Sequence, residues 1–411
     1  KLSKKKITFF DGWTLGIQNI IRLKNEAHDR GFSIELIHFG SWGDDKNRKK
    51  IENIEGITVK DISYFGSKSI EEILKIEKPN LIGFLSTNSF PHRAVIRYSR
   101  KLEIPTFHLF HGLDQFMEIT SKGSESKFKR IFRLRRHIPK QILYFVPTYM
   151  KSLLFTKSNI ADYKFLFNEI FRKFLGLNVY PPHDSVPNIV FVFNNSEKEH
   201  AISCRGYRKE IIEIVGNPDF IKWGIKQADL GTHLYKKQDN SNIIYIDTAL
   251  YNYGIAHSDE KSFFKYIKTI NDQLTIQGFK FFLKPHPSTS KYLVSLLKKN
   301  KINIVKNSEF CESAKECKNF IIEPSSAFLL PAVLGGNIFL SNLFELKDMQ
   351  YGKYIGSYPN HKKLYDVINF HDEIAKIESS KDTVRIFDWI RENSFEIQEG
   401  SFQRKIFNKL E

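Results

Sequence analysis

Cysteine is scarce in this chain of 411 residues: Cys204, Cys311 and Cys317 are all it has. Three unevenly spread thiols make no disulfide framework. Cys311 and Cys317 also lack the tight spacing and nearby histidines of a zinc site. Reduced thiols in a cytoplasmic protein are the expectation. Long apolar runs are missing too. Nothing approaches the ~18 consecutive apolar residues that cross a bilayer, and Ile7–Phe10 is too short for a signal-peptide core. No Gly-x-x-x-x-Gly-Lys-[Ser/Thr] loop occurs, which argues against a P-loop ATPase. The absence of Asp-x-Asp argues against the divalent-metal site common in single-domain sugar transferases, so no metal and no cofactor are expected. Gly-x-Ser-x-Gly and His-Glu-x-x-His are absent as well, leaving serine-hydrolase and zinc-protease chemistry without their motifs.

Positive charge is present in excess. The net charge of +17 favours an anionic partner, whether nucleic acid, an acidic membrane surface or phosphorylated small molecules. Its distribution narrows the choice. Between 120 and 178 the chain carries Lys127, Lys129, Arg130, Arg133, Arg135 and Arg136 interleaved with Phe128, Ile131 and Phe132, followed by Leu153, Leu154, Phe155, Phe165, Phe167, Phe171 and Phe174. A basic helix with Phe and Leu on its other face lies in the interface of an anionic membrane. No zinc finger or aromatic RNA-stacking signature accompanies the charges, so nucleic acid is not the expected partner. The plainer reading is a solvated basic face whose aromatics join the core.

Elsewhere apolar runs of strand length alternate with helical patterns, the signature of an α/β protein with parallel sheets. Ile7–Phe10, Ser33–Phe39, Leu81–Leu85 and Thr106–Phe110 are runs of the first series, and the rhythm restarts after Pro181-Pro182. The expected architecture is two doubly wound, Rossmann-like domains facing a cleft. Residues 1–185 form the first, including the basic segment 120–178, and 186–382 form the second. Helices over 383–411 pack back on the first domain.

Several loops that follow these strands carry polar residues. Lys284-Pro285-His286-Pro287 follows Phe279–Leu283, and Glu323-Pro324-Ser325-Ser326 follows Phe320–Ile322. In open α/β sheets ligands bind beyond the carboxyl ends of the strands. There Lys284, His286, Glu323, Ser325 and Ser326 suit a phosphate, with a helix N-terminus expected behind Ser288-Thr289. Gly216-Asn217 and Asp247-Thr248 end further strands and add candidate donor contacts. In the first domain, His111 ends a strand beside Gly112, and its ordinary pKa suits proton abstraction. Asp114 is placed to orient it, and Asp11 is a second candidate base. Gly12 and Gly16 open the first strand–helix turn, a suitable acceptor site. His108 sits inside its strand and is the weaker histidine.

With those residues assembled, the chain resembles GT-B glycosyltransferases of bacterial surface-polysaccharide synthesis: polysialyltransferases, Kdo transferases and the teichoic-acid polymerases that use CDP-glycerol. The resemblance implies a His-Pro loop and a Ser-Ser loop holding the donor nucleotide and phosphate, here His286, Ser325 and Ser326, and a base at His111-Gly112. It implies metal-independent transfer of a sugar from a nucleotide-sugar to a hydroxyl of a capsule or lipopolysaccharide glycan. A CMP-linked acidic sugar is favoured, with UDP and GDP sugars open. Histidine at 111, where the polysialyl and Kdo enzymes carry an acid, leaves CDP-glycerol or CDP-ribitol transfer as the alternative, and a polyanion-binding protein is the alternative of another class. The expected partners are the donor, a glycan or lipid-linked acceptor, and the inner face of the cytoplasmic membrane, with the protein peripherally associated.

Overall fold

The structure is a computed structural model that describes residues 5–12, 16–42, 49–110, 141–174, 186–235, 241–253, 257–323, 325–341, 355–394, 398 and 400–411. The described strands form two sheets. The first contains β1 (Lys5–Asp11), β2 (Phe32–His38), β3 (Ile51–Ile54), β4 (Ile57–Asp61), β5 (Leu81–Phe84), β6 (Thr106–Leu109), β7 (Ile189–Val192) and β8 (Ile212–Ile214). Their order is β3-β4-β2-β1-β5-β6-β7-β8. Every pairing is parallel except the β3–β4 hairpin. Helices cover both faces, which is why β5 reads as an apolar run and why β5 and β6 are buried at every position. At Gly83 a Cβ would lie 2.6 Å from Phe9 and 2.7 Å from Phe107, so the central strand has no room for a side chain there.

The second sheet holds β9 (Asn242–Ile246), β10 (Lys280–Lys284), β11 (Asn303–Ile304), β12 (Asn319–Ile322), β13 (Asn337–Ser341) and β14 (His361–Leu364). Its order is β11-β10-β9-β12-β13-β14, and all its pairings are parallel. Apolar clusters fill both faces. One includes Ile244, Ile322 and Trp389; the other includes Tyr245, Leu283 and Phe339.

Three features differ from the sequence expectation. β7 and β8 were assigned to the second unit but complete the first sheet, with Phe107 opposite Ile189 and Val190 opposite Ile212. The boundary at 185 therefore moves beyond Ile214, and Gly216-Asn217 follows a strand of the first sheet. The β3–β4 hairpin turns at Glu55-Gly56, with φ of 49° and 87°, as a two-residue turn with two left-handed positions requires. The C-terminal helices divide their loyalties. Thr383–Ser394 packs Ile386, Trp389 and Ile390 on the second core, whereas Ser401–Leu410 returns to the first and buries Phe402, Ile406 and Phe407 there. Arg30 donates to Asn408 and to Glu411 across that return.

Each sheet has one point where the strand order reverses: between β1 and β5 in the first, between β9 and β12 in the second. Chains leaving neighbouring strands there diverge to opposite faces and open a crevice. Asp11-Gly12 and the Ser86-Thr87-Asn88 loop stand at the first. Asp247-Thr248 and Glu323 stand at the second.

Candidate functional site

The loops after β9, β10 and β12 are tied together by two buried carboxylates. Asp247 Oδ1 accepts the Ala249 N–H at 2.7 Å, and its Oδ2 accepts from the His286 N–H at 3.3 Å and the Thr289 hydroxyl at 3.2 Å. It thereby folds the His286 loop back over the end of its own strand. Glu323 accepts the Tyr245 hydroxyl at 2.7 Å on one oxygen, and the Thr248 N–H at 3.0 Å and hydroxyl at 2.5 Å on the other. Both carboxylates are buried, as is Lys284. The Lys284 ammonium lies 5.4 Å from the centre of the Phe310 ring, and it acts as an electrostatic counterweight to Asp247.

Burial pushes Asp247 up, against the donors of Ala249, His286 and Thr289 and the charge of Lys284. Burial, reinforced by the negative charge of Asp247, pushes Glu323 from an ordinary 4.5 up to about 7. Asp247, with its three donors and an ammonium, keeps its charge, and Glu323 takes the proton. This has a measurable sign. Below pH 4.5 Glu323 is protonated whether the chain is folded or not. As pH rises toward 7 the unfolded chain ionises first, and native stability falls. Glu323→Gln removes that loss. Between pH 4.5 and 8, stability from chemical denaturation should drop by up to about 3 kcal/mol more in the wild type than in the variant. Parallel pH profiles would show that Glu323 titrates normally.

His286 is half-buried, and its Nδ1 accepts the Ser288 N–H at 3.2 Å. That bond fixes the neutral tautomer with the proton on Nε2. Burial first, and then the Lys284 ammonium, lower its pKa, so the ring is a neutral N–H donor at physiological pH. The helix expected behind Ser288-Thr289 starts later, at Lys291, with Ser290 as its cap. Ser288 and Thr289 instead form a turn closed by Thr289 N–H to the His286 carbonyl at 3.0 Å. Ser325 Oγ accepts the Ala327 N–H at 3.2 Å and starts the turn of Ser326–Phe328. The Ser326 side chain lies outside the described residues.

The remaining sequence candidates scatter. Asn217 caps Pro218–Lys222 through the Asp219 N–H at 2.8 Å. Gly216, at φ 88°, supplies the left-handed turn before it. Asp219 meets Arg22 of the first unit at 2.7 Å. Asp11 is buried at the end of β1 and accepts the Gly12 N–H at 2.5 Å. A Cβ on Gly16 would come within 2.7 Å of Leu85, so that glycine lets the helix start press against the loop after β5. Gly12 has no such neighbour. His111, Gly112 and Asp114 lie outside the described residues. His108 is a buried core residue whose Nε2 faces the Leu85 carbonyl at 3.3 Å.

The sequence reading passed over a polar group at the carboxyl edge of the first sheet. The Thr87 and Tyr207 hydroxyls share a 3.0 Å hydrogen bond, Tyr207 stands 3.4 Å from His108 Nδ1, and Arg205 donates to Asn88. Burial lowers Arg205 to about 10. Nearby Glu197 accepts the Phe193 N–H at 2.7 Å, and burial pushes it up to about 7. The signal was available: Ser86-Thr87-Asn88 is a polar loop after an apolar run, the same pattern that drew attention to His286. Among the described residues, no group of three or more His, Cys, Asp or Glu is placed to hold a metal ion.

No protein-family model matches the chain, and no curated protein matches it. Solved structures do. The chain is similar to the UDP-GlcNAc 2-epimerase of Methanocaldococcus jannaschii in complex with UDP-GlcNAc and UDP, with TM-score 0.50 and 15% identity over 98% of this chain and 99% of that one. It is similar to MnaA of S. aureus in complex with UDP, with TM-score 0.50 and 13% identity over 99% and 96%. It is also similar to CalG4, the calicheamicin glycosyltransferase, with TM-score 0.51 and 11% identity over 99% and 95%. At such identities the likeness establishes the fold, which is GT-B.

Proposed function

We propose that the protein is a glycosyltransferase that moves a sugar from a nucleotide-sugar to a hydroxyl of a bacterial surface glycan, working at the inner face of the cytoplasmic membrane. The observation that carries this is the meeting of three loops at the second sheet's reversal point, with the His286 loop held by Asp247 through the His286 backbone N–H and its neutral ring at the rim. The neighbours solved with UDP share the fold, which supports a nucleotide as the ligand. A CMP-linked acidic sugar is the preferred donor, with CDP-polyol transfer as the alternative chemistry.

In this mechanism His286 Nε2–H and the backbone N–H groups beside Ser325 receive the departing phosphate, stabilising charge with fixed dipoles. His111, or Asp11 in its place, takes the proton of the acceptor hydroxyl as that oxygen attacks the sugar carbon. Lys284 is buried under the loop, so its part is to balance Asp247 and not to touch phosphate. Glu323, bound to Tyr245 and Thr248, shapes the loop in the same indirect way.

Thermal melting with CMP, CDP, UDP and GDP and their sugars tests the reading. One nucleotide should raise the melting temperature of the wild type, and His286→Ala should bind it at least about tenfold more weakly, the worth of one good hydrogen bond to a charged group. No stabilisation by any of them, or full stabilisation of His286→Ala, removes the donor site from this edge. The fold also serves 2-epimerases. Conversion of UDP-GlcNAc without any acceptor would reassign the chemistry to that class.

A further inference from the structure

We propose that the outer face of the Ile160–Phe174 helix, together with the basic hollow beside its first turn, is the surface that seats this protein on a bilayer of anionic phospholipid. This deepens, and rests on, the membrane-side reading above. The helix is apolar on two faces. Inward, Leu166 is buried and Tyr163 and Ile170 pack against the first core. Outward, Ile160, Phe167 and Phe171 are 74%, 60% and 61% exposed. With the exposed Lys164 they fall at i, i+4, i+7 and i+11, a single stripe along the helix. A helix apolar on both faces needs a cover on each, and such a patch marks an interaction surface.

The charge lining the hollow beside it is positive. A hollow of about 310 Å³ is lined by Arg97, Arg100, Lys101 and Thr156. Arg97 is held in it by Thr156 at 2.9 Å and Asp162 at 3.6 Å. The two acids of the helix's inner side are both matched, Asp162 by Arg97 and Glu169 by the buried Arg93. Lys151 stands close enough to Glu72 of a neighbouring helix to influence it electrostatically. Arg100, which also donates to the Val186 carbonyl, and Lys101, Lys157 and Lys164 are exposed cations of this part of the surface. Two aromatic rings and an isoleucine flanked by cations match the acyl boundary and phosphates of an anionic leaflet. A second copy of the chain would carry the same net charge of +17, which opposes self-association. Among the described residues no helix is long and apolar enough to span the membrane, so seating is on the surface.

Co-sedimentation of the full chain with vesicles tests this. Binding is expected to vesicles of equal parts phosphatidylcholine and phosphatidylglycerol and not to phosphatidylcholine alone, and should weaken with salt. Lys101→Gln/Lys164→Gln should weaken it about fivefold for each charge removed. Ile160→Ser/Phe167→Ser/Phe171→Ser should abolish it while leaving the melting temperature unchanged, since the replaced side chains lie in water. Equal binding to both vesicle types, or undiminished binding by the triple variant, overturns the proposal. So does a wild-type dimer in sedimentation equilibrium that the triple variant dissolves, which would give the face to a second copy. Nucleotide stabilisation is measured in parallel. Lost vesicle binding with intact nucleotide binding sinks only the docking surface; the reverse sinks only the donor site.

Discussion

Asp247→Ala is expected to lose about 3–5 kcal/mol of stability and to bind no nucleotide at concentrations that saturate the wild type. Both losses follow from one carboxylate. Its removal strips acceptors from the buried Ala249 N–H and from the donors of His286 and Thr289, and it leaves the Lys284 ammonium buried without its counter-charge. Breaking one partner of a buried ionic arrangement costs on this scale, and each orphaned donor adds its desolvation penalty. Binding fails because the His286 loop is held down through its own N–H, so the ring loses its place even though no atom of it has changed. Asp247→Asn separates the effects. The amide keeps the volume and one acceptor but turns an N–H₂ toward the His286 and Thr289 donors. It should recover part of the stability in urea denaturation and little of the nucleotide affinity. Nucleotide binding by Asp247→Ala at wild-type strength would mean that the loop holds itself.

Arg93→Ala is the second large change, and it acts far from that edge. Arg93 is fully buried. Its guanidinium reaches Glu169 at 2.5 Å and the Tyr149 hydroxyl at 2.8 Å, and it lies 4.3 Å from the centre of the Tyr149 ring. Through these contacts one residue clamps two successive helices to Phe90–Lys101. Truncation strips the buried Glu169 carboxylate of its guanidinium counter-charge, for a loss of about 3–5 kcal/mol in denaturant unfolding. Arg93→Met/Glu169→Leu removes both charges and keeps the volume, so it should be markedly more stable than the single variant. If the double variant is as damaged as the single one, packing and not the orphaned charge sets the loss. Because the clamp holds the Ile160–Phe174 helix in place, Arg93→Ala should also weaken vesicle binding, which the double variant should retain.

The strands were legible because parallel strands buried on both faces are plain apolar runs. Leu81–Leu85 and Thr106–Phe110 each overrun their strand by one residue, and Phe320–Ile322 falls one short of Asn319–Ile322. The loops after them were legible for the related reason that polar residues just past an apolar run have no core to enter. Pairing was not legible. Nothing in Asn188–Phe193 says which sheet it joins; that is decided by Phe107 and Val190 meeting their partners across the chain. Side-chain direction was equally hidden. Lys284 and Glu323 look like contacts for a donor, yet both turn inward, where they serve the loops and not the surface. The β14 strand, His361-Lys362-Lys363-Leu364, escaped notice because an edge strand bordered by solvent on one side carries too little apolar character to stand out.

The return of Ser401–Leu410 to the first unit bears on how the protein comes into being. Arg30 and Glu411 are 381 positions apart in sequence, and Phe32 meets Phe407 at 5.8 Å between ring centres. During synthesis the whole second unit must therefore emerge before the first can close its core. Until then the surface formed by Leu23, Ala27 and Phe32 stands open to water. The two units consequently cannot mature one after the other in the order of their synthesis. The second unit, whose described strands all lie within one continuous stretch of chain, can complete its sheet before the first completes its core.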